Sequence, residues 1–183
     1  MLIERHREKL LNAIIFFATK TNACGKTKLF KLLYFLDFEH FKQTGRSVTG
    51  LGYFAWPKGP VPVDLHNEIK APKVDMTDYV QFETVLVTKG SMEVPRPLRE
   101  FDPSHFSNRE LEILNHLVSE YRDARADDMI EATHLENKPW HQVYEVEGRK
   151  QNKIPYEYAL NKQEVDVMSA VIKEQEEIKK NYG

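Results

Sequence analysis

The chain has 183 residues, about one domain's worth, with one cysteine and a formal net charge of −2 at pH 7. A single thiol excludes a disulfide framework and any cysteine-based zinc set. Apolar residues at 41%, aromatics at 11% and charged residues at 30% exclude a disordered chain. The charge is uneven, +4 over residues 1–100 and −6 over residues 101–183. Neither half has the dense basic patch of a dedicated DNA-binder. The longest early apolar run, residues 13–18, is far short of the ~20 residues of a membrane helix. The N-terminus mixes acids and bases and has no A-x-A-like cleavage site. A cytoplasmic, non-membrane protein forming a single domain over residues 1–183 is expected.

The predicted elements follow in chain order. Leu10, Leu11, Ile14, Ile15 and Ala18 recur at spacings of three and four and predict a helix over 4–19. A second helix is predicted over 26–43. Its stripe of Leu29, Leu32, Leu33, Leu36 and His40 is widened by Phe30, Phe35 and Phe41, which points to a buried central helix. Gly45 suits its C-cap. Residues 48–56 read as extended, Pro57 to Pro60 as a turn, and 61–70 as a helix with Pro60 and Pro62 in its first turn. Tyr79 to Val87 alternates as a strand, Lys89-Gly90 turns, and Met92 to Val94 returns, with Pro95 and Pro97 stopping it at an edge. Ser107 and Glu110 form a capping-box pattern before a helix carrying Leu111, Leu114, Leu117, Val118 and Tyr121. A short helix over 126–135, a turn or two at 140–144 and a last helix over 162–180, lined by Val165, Met168, Ile172 and Ile178, complete the chain. The fold class is mainly α (α+β): a compact helical domain with a small antiparallel β-hairpin element around residues 50–95. The stretch from Pro95 to Pro103 is the one candidate linker.

Chemistry-bearing patterns are sparse. The seven histidines show no H-x-x-x-H or H-E-x-x-H spacing, so no metal site is expected. Cys24 has Lys26 and Lys28 nearby, but a small residue in a helix-helix turn explains it. Gly25-Lys26-Thr27 resembles the end of a phosphate-binding loop. Lys20 stands where that loop needs its first glycine, so an ATPase is excluded. Asp127, Asp128 and Glu131 read as a solvated helix start. No cofactor is expected. Two segments are harder to explain by packing alone. Phe54 to His66 places Trp56, Lys58 and Gly59 on a rigid turn before a helix. Thr133 to Trp140 brings His134 and Trp140 together across a loop. Structural use is the simpler reading of both, and rigid aromatic anchors are also what binding hot spots are built from.

Lys31-Leu32-Leu33-Tyr34-Phe35, the Trp-x-x-Gly-Pro-Val pattern from Trp56 to Val61, Leu65-His66, Thr133-His134 and Pro139-Trp140 occur in that order. Together they resemble the SocA-like antitoxin, or Panacea, domain over about residues 8–145. The resemblance implies a bacterial or phage-borne antitoxin, not an enzyme. Its partner would be a cognate toxin encoded by an adjacent gene, with delivery to a ClpXP-type protease as a further possibility. On this reading the partner-binding residues are Tyr53, Trp56, Lys58, Gly59, His66, His134 and Trp140; in the alternative these motifs hold the common fold, and the hairpin or the last helix chooses the toxin. The 74–97 hairpin and the helix after Trp140 depart from the common pattern. A DNA-binding regulator of a toxin-antitoxin operon is the alternative, and nucleic acid is the less favoured partner on charge. An enzyme built on His134 and His141 is a third reading, supported only by their proximity in sequence.

Overall fold

The computed structural model describes residues 5–135 and 138–182. Its architecture is mainly α, with two small antiparallel two-stranded sheets between the helices. Helix α1 (His6–Lys20) buries a continuous run from Leu10 to Phe17. The predicted start at Glu4 lies outside the described residues. Helix α2 (Lys26–Thr44) runs through the centre, with Leu29, Leu32, Leu33 and Leu36 inaccessible to solvent. A helix apolar on this many sides can only be stable when surrounded. Gly45 ends it in the left-handed conformation, φ +74°.

The 48–56 segment forms less strand than its alternation predicts. Only β1 (Phe54–Trp56) is regular, and it pairs antiparallel with β2 (Gly59–Val61) around Pro57-Lys58. The residues read as turn and first helical turn are therefore partly strand, and helix α3 begins at Val63 and ends at Lys70. The other edge of β1 is occupied from far along the chain. Ala55 N–H donates to the Asn152 carbonyl at 2.9 Å, and Ile154 N–H donates to the Tyr53 carbonyl at 2.8 Å.

After a short turn of helix, α4 (Val74–Thr77), the second hairpin pairs β3 (Val80–Val87) with β4 (Gly90–Pro97) in full register, from Val80 opposite Pro97 to Val87 opposite Gly90. The β content is thus two separate hairpins. Pro95 and Pro97 do not stop the return strand. Both lie within it, where a missing N–H costs no ladder bond. Nor is the following stretch a linker, because Phe101 packs on Phe16 (4.8 Å between ring centroids) and on Phe106 (5.5 Å).

Helix α5 (Asn108–Tyr121) has the predicted capping box: Glu110 N–H donates to Ser107 Oγ, and Ser107 N–H donates to the Glu110 carboxylate at 2.8 Å. Helix α6 (Ala126–His134) is followed by a single turn, α7 (Pro139–His141), which widens into a π-helical turn, Gln142–Val146. A 3-10 turn, Tyr156–Ala159, leads to α8 (Lys162–Tyr182). Helix α8 rests on the end of α2: a Cβ at Gly45 would lie 2.8 Å from Met168 Sδ. The Val165 side chain lies outside what is described.

Three charged side chains of α2 are buried with this apolar set. Lys28 Nζ donates to the carbonyls of Asn22 (2.9 Å), Arg122 (3.1 Å) and Ala124 (2.6 Å), joining the α1–α2 turn to the α5–α6 turn. Asp37 accepts from Val48 N–H and Thr49 N–H, both at 2.8 Å, and from the hydroxyls of Thr49 (2.5 Å) and Tyr53 (2.6 Å). Burial pushes the Asp37 carboxyl upward, and those four donors oppose it. Lys31 is the third.

Candidate functional site

Lys31 and Tyr34 are three residues apart on α2 and so share a face. That face meets the β1–β2 turn. Lys31 Nζ donates to the Pro60 carbonyl at 2.8 Å, its one hydrogen bond among the described residues. Burial alone pulls the ammonium down to about pKa 7. Gly59 holds φ +98°, and a Cβ there would come within 2.7 Å of Thr133 Oγ1 and 2.9 Å of Lys31 Cε. Only glycine lets the turn approach both helices so closely.

Thr133, at the end of α6, is inaccessible and donates to the Ile130 carbonyl at 2.8 Å. His134 next to it stacks on Trp140, with centroids 3.7 Å apart and planes at 9°. Trp140 stacks in turn on Tyr144 at 4.6 Å. The Trp140 indole N–H donates 2.9 Å to the Trp56 carbonyl. The turn is thus gripped from both ends, at the Trp56 carbonyl by Trp140 and at the Pro60 carbonyl by Lys31. Burial, then the charge of Lys31, lowers the His134 pKa, with Glu145 opposing. His134 Nε2 and the Tyr34 hydroxyl are buried without a hydrogen-bond partner among the described residues.

The seven residues singled out in the sequence divide into three places. Gly59, His134 and Trp140 meet around Lys31. Tyr53 is remote from them by its hydroxyl, which serves Asp37, and it is fully buried. Trp56, Lys58 and His66 lie outward. Lys58 is exposed at the turn, and the half-buried Trp56 ring meets His66 edge-on at 5.4 Å. His66 in turn meets Phe30 at 6.1 Å. Its pKa is lowered by burial first and then by Lys26 and Lys70, against Glu93, so the ring is neutral at neutral pH.

Apolar periodicity assigns no role to Lys28 or Asp37, and Lys31 stands out only as part of a motif. A usable signal existed: three charges inside a helix otherwise apolar on almost every side. Cys24 is buried, and desolvation raises its thiol to about pKa 11, with Thr21 and Lys28 opposing, so it is not an activated nucleophile. Among the described residues, no three His, Cys, Asp or Glu side chains converge as a metal site would require. No helix among them is long and apolar enough to cross a membrane.

A second feature involves the same motifs. A cleft of about 460 Å³ opens between α2 and α5, lined by Tyr34, Phe35, Phe38, Leu117, Tyr121 and Pro139 among others. Phe35 and Tyr121 stack across it, 5.3 Å apart with planes at 3°.

The family profile for the antitoxin SocA-like, Panacea domain matches residues 29–141, from the start of the α2 leucine stripe to the turn after Trp140. The chain belongs to that family. The match covers more than half the chain and contains Lys31, Tyr34, Gly59, Thr133, His134 and Trp140. In this Panacea domain the motifs that carry the resemblance are mostly interior. They bring α2, the β1–β2 turn, α6 and α7 together, and they leave Trp56, Lys58 and His66 at the surface. No curated protein and no solved structure matches the chain.

Proposed function

We propose that this Panacea domain neutralises a toxin, encoded by an adjacent gene, by binding it directly. The family match carries the antitoxin role. The geometry of the turn supports direct binding. Buried motif residues hold the β1–β2 turn rigid, so Trp56, Lys58 and His66 are presented in a fixed arrangement. A preformed surface loses little side-chain freedom on association. Trp56 then serves as the aromatic anchor, with Lys58 as a charged rim residue. Tyr53, Gly59, His134 and Trp140 act beneath that surface, holding it in place. An interface of ordinary size would bury ~800 Å² on each partner. The role needs no cofactor and no catalytic step. Handing the bound toxin to a ClpXP-type protease is a further step that direct binding permits. Regulation of the operon through DNA has no comparable support in a chain of net charge −2 whose sequence has no dense basic run.

Co-expression with the product of the adjacent reading frame tests the reading. Growth arrest by the neighbour alone, relieved by this chain with co-purification, is the expected result. A harmless neighbour, or arrest that this chain cannot relieve, removes the antitoxin role. Relief without a stable complex, accompanied by loss of the toxin, replaces occlusion with protease delivery. Lys58→Glu is expected to weaken toxin binding at least tenfold with an unchanged thermal midpoint, and Trp56→Ala to weaken it as much in a chain that still folds, with a lowered midpoint from its lost packing. Folded variants that neutralise like the parent chain would remove the site from the turn.

A further inference from the structure

The β3–β4 hairpin protects its two edges unequally. Leu98 N–H donates to the Tyr79 carbonyl at 2.8 Å, which continues the ladder by one pair. In an antiparallel ladder the pairs alternate between hydrogen-bonded and not. With Tyr79 opposite Leu98 bonded, the bonded pairs run through Gln81, Glu83, Val85 and Val87. The prolines agree, since Pro95 and Pro97 stand opposite Phe82 and Val80 and have no N–H to give. The outward-facing backbone of β4 therefore belongs to Ser91, Glu93, Pro95 and Pro97. That edge is deprived of two donors. It is also covered: Glu93 pairs with Lys26, and a Cβ at Gly25 would meet Met92 Sδ at 2.4 Å and the Glu93 carbonyl at 3.6 Å.

The outward-facing backbone of β3 belongs to Val80, Phe82, Thr84 and Leu86. None is proline. No hydrogen bond reaches Phe82, Thr84 or Leu86 from outside the hairpin among the described residues. At the distal end Leu86 is 86% exposed and Val87 45%. An eight-residue strand edge with unpaired outward N–H and C=O groups and an exposed apolar end is a template for pairing with another strand.

We infer that β3 pairs with β3 of a second copy of this chain, giving a four-stranded sheet in the order β4–β3–β3–β4. The edge is self-complementary in a register that sets no like charges against each other. With Thr84 on the two-fold axis, Phe82 of each copy lies opposite Leu86 of the other. Glu83 lies opposite Val85, and Gln81 opposite Val87. A shift of one pair toward the strand start would set Glu83 against Glu83, a like-charge contact that disfavours it. In the favoured register Glu83 stays bound to Arg96 of its own hairpin, at 2.9 Å. An isologous pairing of this kind closes on itself and cannot propagate, because the β4 edges that would continue it are blocked by proline and by α2. The inference does not depend on the antitoxin role.

Sedimentation and light scattering of the full chain across a range of concentrations test it. The expected mass is that of two chains. Thr84→Pro removes one outward N–H without breaking a bond inside the hairpin, and Leu86→Lys places a charge on the apolar end. Each is expected to halve the mass while leaving circular dichroism unchanged. Should Thr84→Pro fail to fold, Leu86→Lys carries the test. In Thr84→Cys the two-fold brings the Cα atoms to about 5.5 Å, within disulfide reach. A covalent pair should then form on mild oxidation, and more readily than with Glu83→Cys. Parent chain of single mass at tens of micromolar, or pairing unaffected by both variants, overturns the inference. A chain of single mass whose Leu86→Lys form loses the toxin gives the edge to a toxin strand instead, and also overturns it.

Discussion

Lys28 and Lys31 lie one turn apart on α2, and neither is accessible to solvent. Lys28 spends all three of its donors on carbonyls, whereas Lys31 has one. That difference sets the cost of losing each. Lys28→Met removes three hydrogen bonds at the junction of two interhelical turns, and is expected to cost about 3 kcal/mol in denaturant unfolding. Lys31→Met removes a buried amine that gains little, and is expected to change stability near pH 7 by less than about 1 kcal/mol. The same side chain gives a pH dependence. Folding lowers the Lys31 pKa from 10.5 to about 7. Between those values the unfolded chain holds a proton that the folded chain has lost, so raising the pH through this window adds stability. The contribution is complete above pH 10.5 and is lost as the pH falls through 7. Relative to Lys31→Met, the parent chain should gain up to about 1.4 kcal/mol per pH unit across that window. Parallel stability curves for the two proteins would show that Lys31 does not titrate as its burial requires.

The β1–β2 turn is the element in which local and tertiary constraints meet. Two three-residue strands and a two-residue turn form a hairpin too short to be stable alone. It holds its shape because the Trp56 and Pro60 carbonyls are bound by groups far away in sequence and Gly59 fills the narrow gap between Lys31 and Thr133. Gly59→Ala adds a Cβ at a positive φ and at overlap distance from Thr133, and should cost about 3 kcal/mol in thermal or denaturant unfolding. A tolerated alanine would mean that the turn can move away from α6. Much of this element was visible in the sequence, since Pro57, Gly59 and Pro60 announce a turn. Its strand character was not, because three-residue strands carry too little alternation to be read. The same limit applied to Pro95 and Pro97. Proline marks an edge correctly, but whether it ends a strand depends on which way its nitrogen faces, and the pairing register decides that.

Across the whole molecule, Trp140 joins the C-terminal part of the family-matched region to its first hairpin. It is 1% exposed, stacked between His134 and Tyr144, and bonded to Trp56. Trp140→Phe should retain most of the packing and cost ~1–2 kcal/mol through the lost indole bond. Trp140→Ala should cost ~3–5 kcal/mol and release the β1–β2 turn, seen as faster amide exchange at Ala55 and Gly59. Toxin binding should then fall in Trp140→Ala more than in Trp140→Phe, which separates a supporting role from a contact. Equal loss in both would place the indole itself at the interface.

The sequence by itself determined the helices, the central position of α2, the α5 capping box, the second hairpin and, through the order of five short motifs, the family. These are set by periodicity, by local backbone preferences and by residue order, all of which are written along the chain. Only the tertiary structure decided what the motif residues do. Tyr53 and Trp140 look equally suited to a surface or an interior until their neighbours are known, and the same holds for Lys31 beside Lys58. Burial belongs to the packed arrangement and not to the residue. A conformation such as that of Gly59 is enforced by side chains 28 and 74 positions away. The open edge of β3 is tertiary in the same sense, because an edge is defined by what lies beside it.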